Sequence, residues 1–232
     1  PQEDEWALCC LGLPSPYQAA AFPNDLPHAT EYFDFQRITA PELAKWKQTW
    51  MGFLKSVQLA APDRRLVIKS PLHTSRVDSL LEMFPNARFV HVIRDPHSVY
   101  PSTVRLWQRL AEDEGLQLPK NHEQLDAFVL ESYERMYRSF ARAESRMRGE
   151  QLCTVHYEQL VNDPTGTLHH IYEHLDLGDF SAIESDVEAF AAEQSAFQSN
   201  RFVRSQQDIE KVNRRWGAIF EALHPQVERR AG

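Results

Sequence analysis

The stretch RLVIKSPLHTSRVDSLLEMFPNARFVHVIRDPHSVYPSTVRLW, residues 65–107, decides the fold. It holds two short apolar runs, Leu66–Ile68 and Phe89–Ile93, closed by Lys69 and Arg94, and each base opens a turn into a helical pattern. Short apolar runs bounded by turn residues read as buried strands. In a parallel α/β sheet, bases that follow such strands stand together at the carboxyl ends, where ligands bind. Two cations beside helix N-termini make an anion site, most naturally for phosphate or sulfate.

Working outward, Thr39 and Glu42 form a capping box with Pro41 in the first turn. Leu43, Trp46, Trp50, Phe53, Leu54 and Val57 follow at helical spacing. Residues 1–38 are less regular, and the run Trp6–Leu13 fits helix or strand. Pro62 and Asp63 break the chain before a strand at Arg65–Lys69. A helix carrying Val77, Leu80, Leu81 and Phe84 stops at Pro85 and Asn86. The strand Arg88–Ile93 then leads into a helix beginning near His97. Residues 112–122 read as a polar loop and 123–147 as a long amphipathic helix, with Phe128, Leu130, Tyr133, Tyr137 and Phe140 inward. Leu152–His156 is a third strand, and Asp163 with Pro164 starts a helix burying Leu168, Ile171, Tyr172 and Leu175. The remainder is helical except for the basic, aromatic stretch Asn200–Arg204. Strands alternating with helices predict an α/β domain, a three-layer, mainly parallel sheet flanked by helices, over residues 1–232.

The net charge of −8 argues against a nucleic-acid coat and against an anionic membrane surface. It leaves an anionic small ligand open, because local cations decide that. Cys9, Cys10 and Cys153 have no metal-ligand or paired-thiol spacing. They read as reduced thiols, which favours a cytoplasmic setting, and no stretch is apolar enough to span a membrane. The chain starts at Pro1 without Met, and no signal peptide is visible.

Four segments carry a resemblance: LVIKSPLH at 66–73, FPNARFVHVIRDPHSVYPS at 84–102, VHYEQLVNDPTGTLHHIYEHLDL at 155–177 and NRFVRS at 200–205. Through them the chain resembles the sulfotransferases that use 3′-phosphoadenosine 5′-phosphosulfate (PAPS), most closely their divergent bacterial-type branch. The resemblance implies a P-loop NTPase-like sulfotransferase fold. It implies transfer of the PAPS sulfuryl group to an acceptor hydroxyl or amine of a small molecule or glycan. The product nucleotide would be 3′-phosphoadenosine 5′-phosphate (PAP), and no metal is expected.

Arg94 and Ser102 match the family's pair for the nucleotide 3′-phosphate, and a guanidinium at a strand end can hold a phosphate by two parallel hydrogen bonds. The plainer alternative is Arg94 pairing with Asp95 or capping the turn. Lys69 matches the lysine on the transferring sulfuryl group, where a fixed ammonium stabilises the charge that develops; a snorkelling lysine is the ordinary alternative. His73 is the candidate general base, although in the family's cytosolic members the histidine follows the lysine after one residue, whereas here it follows Pro71 and Leu72. A solvent-facing or capping histidine is its alternative. A carboxylate from Glu3, Asp4 and Glu5 is the rival base, but a solvated terminal charge run is the expected fate of that trio. Tyr157 matches the family's adenine contact, against plain core packing. Arg201 and Arg204 match a late basic loop over the nucleotide. His156, His169 and His170 form no ligand set. Trp46, Trp50 and Trp107 are either core or the wall of an apolar acceptor pocket.

The family's Gly/Ser/Thr loop for the 5′-phosphosulfate has no counterpart before residue 65, so the expectation is a domain lacking its first strand and that loop. A P-loop kinase is disfavoured because no G-x-x-x-x-G-K-S/T motif is present. A non-catalytic domain that binds PAP through the 3′-phosphate half-site alone is the remaining alternative.

Overall fold

The structure, a computed structural model, describes residues 3–120, 122–194 and 205–223. Two parallel strands, β1 (Phe89–Ile93) and β2 (Leu152–His156), pair in register from Phe89 opposite Leu152 to Ile93 opposite His156. Parallel neighbours require a long crossover. Helices α4 (Pro96–Glu114) and α5 (His122–Glu144) supply it, and three helices precede β1: α1 (Asp4–Cys10), α2 (Ala40–Ala60) and α3 (Val77–Met83). After β2 come α6 (Tyr157–Asn162), α7 (Pro164–His174), α8 (Glu184–Gln194) and α9 (Gln206–Leu223). Helix and a small parallel sheet place the chain in the α/β class.

The expected strand at residues 65–69 is the main local departure, since this segment forms no strand. Its alternation survives. Leu66 and Ile68 pack on the cluster formed by Trp46, Trp50, Leu54 and Leu80, whereas Val67 points outward at 89% exposure. A period of two fixes which side chains turn inward, but a strand also needs a neighbour for its backbone groups, and β1 and β2 pair with each other. The ambiguous Trp6–Leu13 run resolves mainly as helix, in α1.

Helix α2 begins where its box predicts: Thr39 and Glu42 each bond the other's backbone N–H. It buries Trp46, Trp50 and Leu54, spaced four apart on one face. Helix α5 buries Phe128, Val129, Leu130 and Phe140, while Trp216 of α9 stacks on Tyr133 at 3.9 Å between centroids. Cys153 and Val155 of β2 pack on Ile171 and Leu175 beneath α7. Asp34, held by Arg135 of α5 at 2.6 Å, ties the turn before α2 to the crossover. Arg201 and Arg204 lie outside the described residues.

Candidate functional site

Three consecutive acids meet three bases. Glu3 pairs with Lys69, Asp4 with His73, and Glu5 with Arg76. The bases lie along one short segment, in which Lys69 and Ser70 lead into a 3-10 turn at Pro71–Ser75 and Arg76 precedes α3. Pro71 restricts Ser70 to an extended conformation, and Ser70 has φ −153° and ψ 135°. The turn then rotates His73 and Arg76 toward α1.

The innermost pair is closed to water, with the Glu5 and Arg76 side chains 1% and 0% exposed. Arg76 reaches Glu5 with two nitrogens, at 2.6 and 3.1 Å, and gives its remaining bonds to the Tyr32 carbonyl. Its guanidinium also lies over Phe35 and Trp46, 4.8 and 5.0 Å from their centroids. This pair is structural.

The middle pair is polar but enclosed. His73 Nε2 lies 2.8 Å from Asp4 Oδ2, and Trp50 donates its indole N–H to the same oxygen at 2.6 Å. Burial works to raise the Asp4 carboxyl. The bonds from His73 and Trp50 and the positive charge of Arg76 outweigh it and hold the group below the usual carboxylate range. His73 Nδ1 is buried and has no hydrogen-bond partner.

The outer pair faces solvent. Lys69 is 76% exposed, and its ammonium bonds Glu3. The other Glu3 oxygen accepts from the Tyr17 hydroxyl. Burial, then the Glu3 carboxylate, pushes the Tyr17 phenol far above its ordinary value, so the phenol stays protonated.

A second group of residues collects at the carboxyl ends of the strands. Ile93 and His156 are the last paired residues, so Arg94 and Tyr157 leave the sheet side by side. The Arg94 guanidinium carbon sits 4.4 Å from the Tyr157 ring centroid, and Arg94 Nε is buried without a partner. The cap of α4 is Asp95, whose side chain accepts from the His97 N–H and the Ser98 hydroxyl. Arg94 is thus released from the capping alternative. Ser102 follows Ser98 by one turn of α4 and is half-buried. Among the described residues, no three His, Cys, Asp or Glu side chains are placed to share a metal ion, and no helix is long and apolar enough to cross a membrane.

The sequence matches the profile of the sulfotransferase family over residues 17–181. It is 36% identical over 221 residues, 95% of this chain, to the omega-hydroxy-beta-dihydromenaquinone-9 sulfotransferases Stf3 of Mycobacterium bovis and Mycobacterium tuberculosis. The chain belongs to the sulfotransferase family. It spans 56% of the length of those two relatives. The fold is similar to that of the sulfotransferase STF9 of Mycobacterium avium, with a TM-score of 0.66 and 20% identity, covering 84% of this chain and 50% of that one. It is also similar to STF1 of Mycobacterium tuberculosis, with a TM-score of 0.55 and 23% identity, covering 69% and 41%.

In this member of the family, the structure brings Lys69 and His73 together on one segment and Arg94 beside Tyr157 at the sheet end. One expectation is corrected. Glu3, Asp4 and Glu5 are not a solvated run: Asp4 and Glu5 are buried and all three are paired. The burial of α1 through Leu8 carries these acids into the fold. The bases Lys69, His73 and Arg76 follow one another in the same order as their partners Glu3, Asp4 and Glu5, and that order is the signal the sequence held for this match. Trp46 and Trp50 are core, and Trp107 packs edge-on against Phe128 at 5.3 Å.

Proposed function

We propose that this chain carries the nucleotide 3′-phosphate clamp and the sulfuryl-transfer residues of a PAPS-dependent sulfotransferase. The observation that carries the reading is Arg94. Its Nε–H is buried, unpartnered and placed at the carboxyl end of a parallel strand. A buried charged donor left unbonded costs free energy. An anionic oxygen bound there relieves that cost, and the 3′-phosphate of PAPS offers several. Ser102 adds a hydroxyl donor, and Tyr157 offers its ring edge to the adenine.

Lys69 stabilises the negative charge that grows on the sulfuryl and leaving oxygens. His73 accepts the proton of the acceptor as its oxygen or nitrogen attacks sulfur. The S–O bond to the nucleotide phosphate breaks and its electron pair stays on the phosphate. The ion pair ties the Lys69 ammonium to Glu3, the residue next to the Asp4 that bonds His73.

The Stf3 relatives take their name from a hydroxylated dihydromenaquinone. For this chain we infer an acceptor of the same chemical kind, a hydroxyl on a largely apolar molecule. The test is transfer of radiolabelled sulfate from PAPS to a hydroxylated dihydromenaquinone, with a monosaccharide and a simple amine as comparisons. Label in the apolar alcohol supports the reading. Label in the sugar or amine alone refutes the acceptor class. PAP binding with no transfer to any acceptor selects the non-catalytic alternative.

A further inference from the structure

His73 and Asp4 are joined through one particular ring nitrogen, and that choice has chemical content. A neutral imidazole carries one N–H and one lone pair, and an ionised carboxylate only accepts hydrogen bonds. Asp4 Oδ2 stands 2.8 Å from Nε2 and already accepts the Trp50 indole N–H at 2.6 Å. Nε2 must therefore bear the hydrogen, because a lone pair there would face the carboxylate. Nδ1 then holds the lone pair in an enclosed position with no hydrogen-bond partner. The other tautomer would bury an unbonded N–H at Nδ1, which costs more than an unbonded lone pair.

The partners of Asp4 are fixed in turn. Trp50 stacks on Trp46 at 5.3 Å between centroids and meets Phe84 edge-on at 5.8 Å. It also meets the His73 ring edge-on at 5.5 Å. Asp4 is on the first turn of α1 and Trp50 on the third turn of α2, so two helices set the carboxylate.

We propose that Asp4, held by Trp50, is a positioning residue that fixes His73 in the Nε2–H tautomer and leaves Nδ1 as the atom that takes the acceptor's proton. The proposal rests on the sulfotransferase reading given above and deepens it. As the acceptor oxygen bonds to sulfur, its proton moves to Nδ1. The sulfur–phosphate oxygen bond breaks, and its electrons stay on PAP. The imidazolium so formed keeps its Nε2–H on the Asp4 carboxylate, which offsets the new charge. Asp4 is the rival base: its Oδ2 takes both donors, while its Oδ1 is buried without a partner in the same way as His73 Nδ1. The low carboxyl pKa that follows from those donors makes it a poor proton acceptor.

Two measurements test the proposal separately. The first needs no activity. Nitrogen-15 correlation spectra of the His73 ring in the unsubstituted protein should show a protonated Nε2 and an unprotonated Nδ1 when the ring is neutral. A protonated Nδ1 with a bare Nε2 overturns the proposal. The second is a double-mutant cycle on sulfate transfer from PAPS. Asp4→Asn should lower kcat about 10- to 100-fold, the scale for removing the hydrogen-bond partner that orients a metal-bound histidine, with KM for PAPS unchanged. In a His73→Gln background the same change should cost almost nothing more. Losses that multiply in the double variant overturn the proposal, since Asp4 would then act independently of His73. Unchanged turnover in His73→Gln removes the base reading itself, a different signature from a multiplying cycle or a wrong tautomer.

Discussion

The guanidinium of Arg94 lies 4.4 Å from the centre of the Tyr157 ring, each residue being the first beyond a paired strand. Parallel register brings them together, and the ring holds the guanidinium by its negative face. Tyr157→Phe keeps that face and should leave PAP affinity within about twofold of its starting value, whereas Tyr157→Leu should weaken it by about 0.5–1 kcal/mol. Calorimetric titration of PAP into both variants checks this. Equal losses in the two would assign the effect to the hydroxyl instead.

Arg76 and Glu5 give a stability prediction. Both are closed to water, so removing one leaves a buried, uncompensated charge. Arg76→Ala should cost about 3–5 kcal/mol, and the double change Arg76→Met with Glu5→Leu should cost much less, because the charge goes with its partner. Urea unfolding of the two variants measures it. Equal costs would show that the arginine's stacking on Phe35 and Trp46, not its charge, dominates.

Acid should loosen the protein at defined places. Burial tends to raise the Asp34 carboxyl, but its bonds from Arg135, the Gln36 N–H and Ser139 outweigh that, and Asp4 behaves likewise with His73 and Trp50. Both carboxyls therefore have folded pKa values below their ordinary 3.8. A depressed pKa gives stability that is present above the unfolded value and lost as pH falls through the folded one. Thermal unfolding midpoints should hold down to about pH 4 and then fall. Asp34→Asn should fall less steeply across the same window. A slope identical to that of the unsubstituted protein would remove Asp34 from the account.

Lys69 is read as acting in the transition state. Lys69→Ala should lower sulfate transfer by about 100- to 1000-fold, the scale for losing one electrostatic contact to developing charge. PAP affinity should change little, because PAP lacks the sulfuryl group. Transfer rates and calorimetry on the same variant separate the two. A loss confined to PAP binding would make Lys69 a ground-state anchor.

The sequence was most readable where local chemistry decides the structure. The capping box at Thr39 and Glu42, the strand Leu152–His156 and the helix opening at Pro164 lie where their residues put them. It was least readable where distant segments decide. Leu66 and Ile68 alternate as a strand would, but pairing depends on a neighbour that a local pattern does not reveal. Glu3, Asp4 and Glu5 look like a surface run until α1 is packed, because burial of an acid depends on a base some seventy residues away. In the sequence Arg94 and Tyr157 are separate matches, and only the register of β1 on β2 shows that they touch.

On the proposed reading, Arg94 and Ser102 form a clamp for a nucleotide 3′-phosphate. Its most direct measurement is calorimetric titration of PAP and of adenosine 5′-phosphate, which differ only by that group, into the unsubstituted protein and Arg94→Ala. PAP should bind more tightly to the unsubstituted protein, and Arg94→Ala should remove the preference at a cost of about 1.5–3 kcal/mol, the range for a hydrogen bond to a charged group. Equal affinities for the two nucleotides in the unsubstituted protein would contradict that reading.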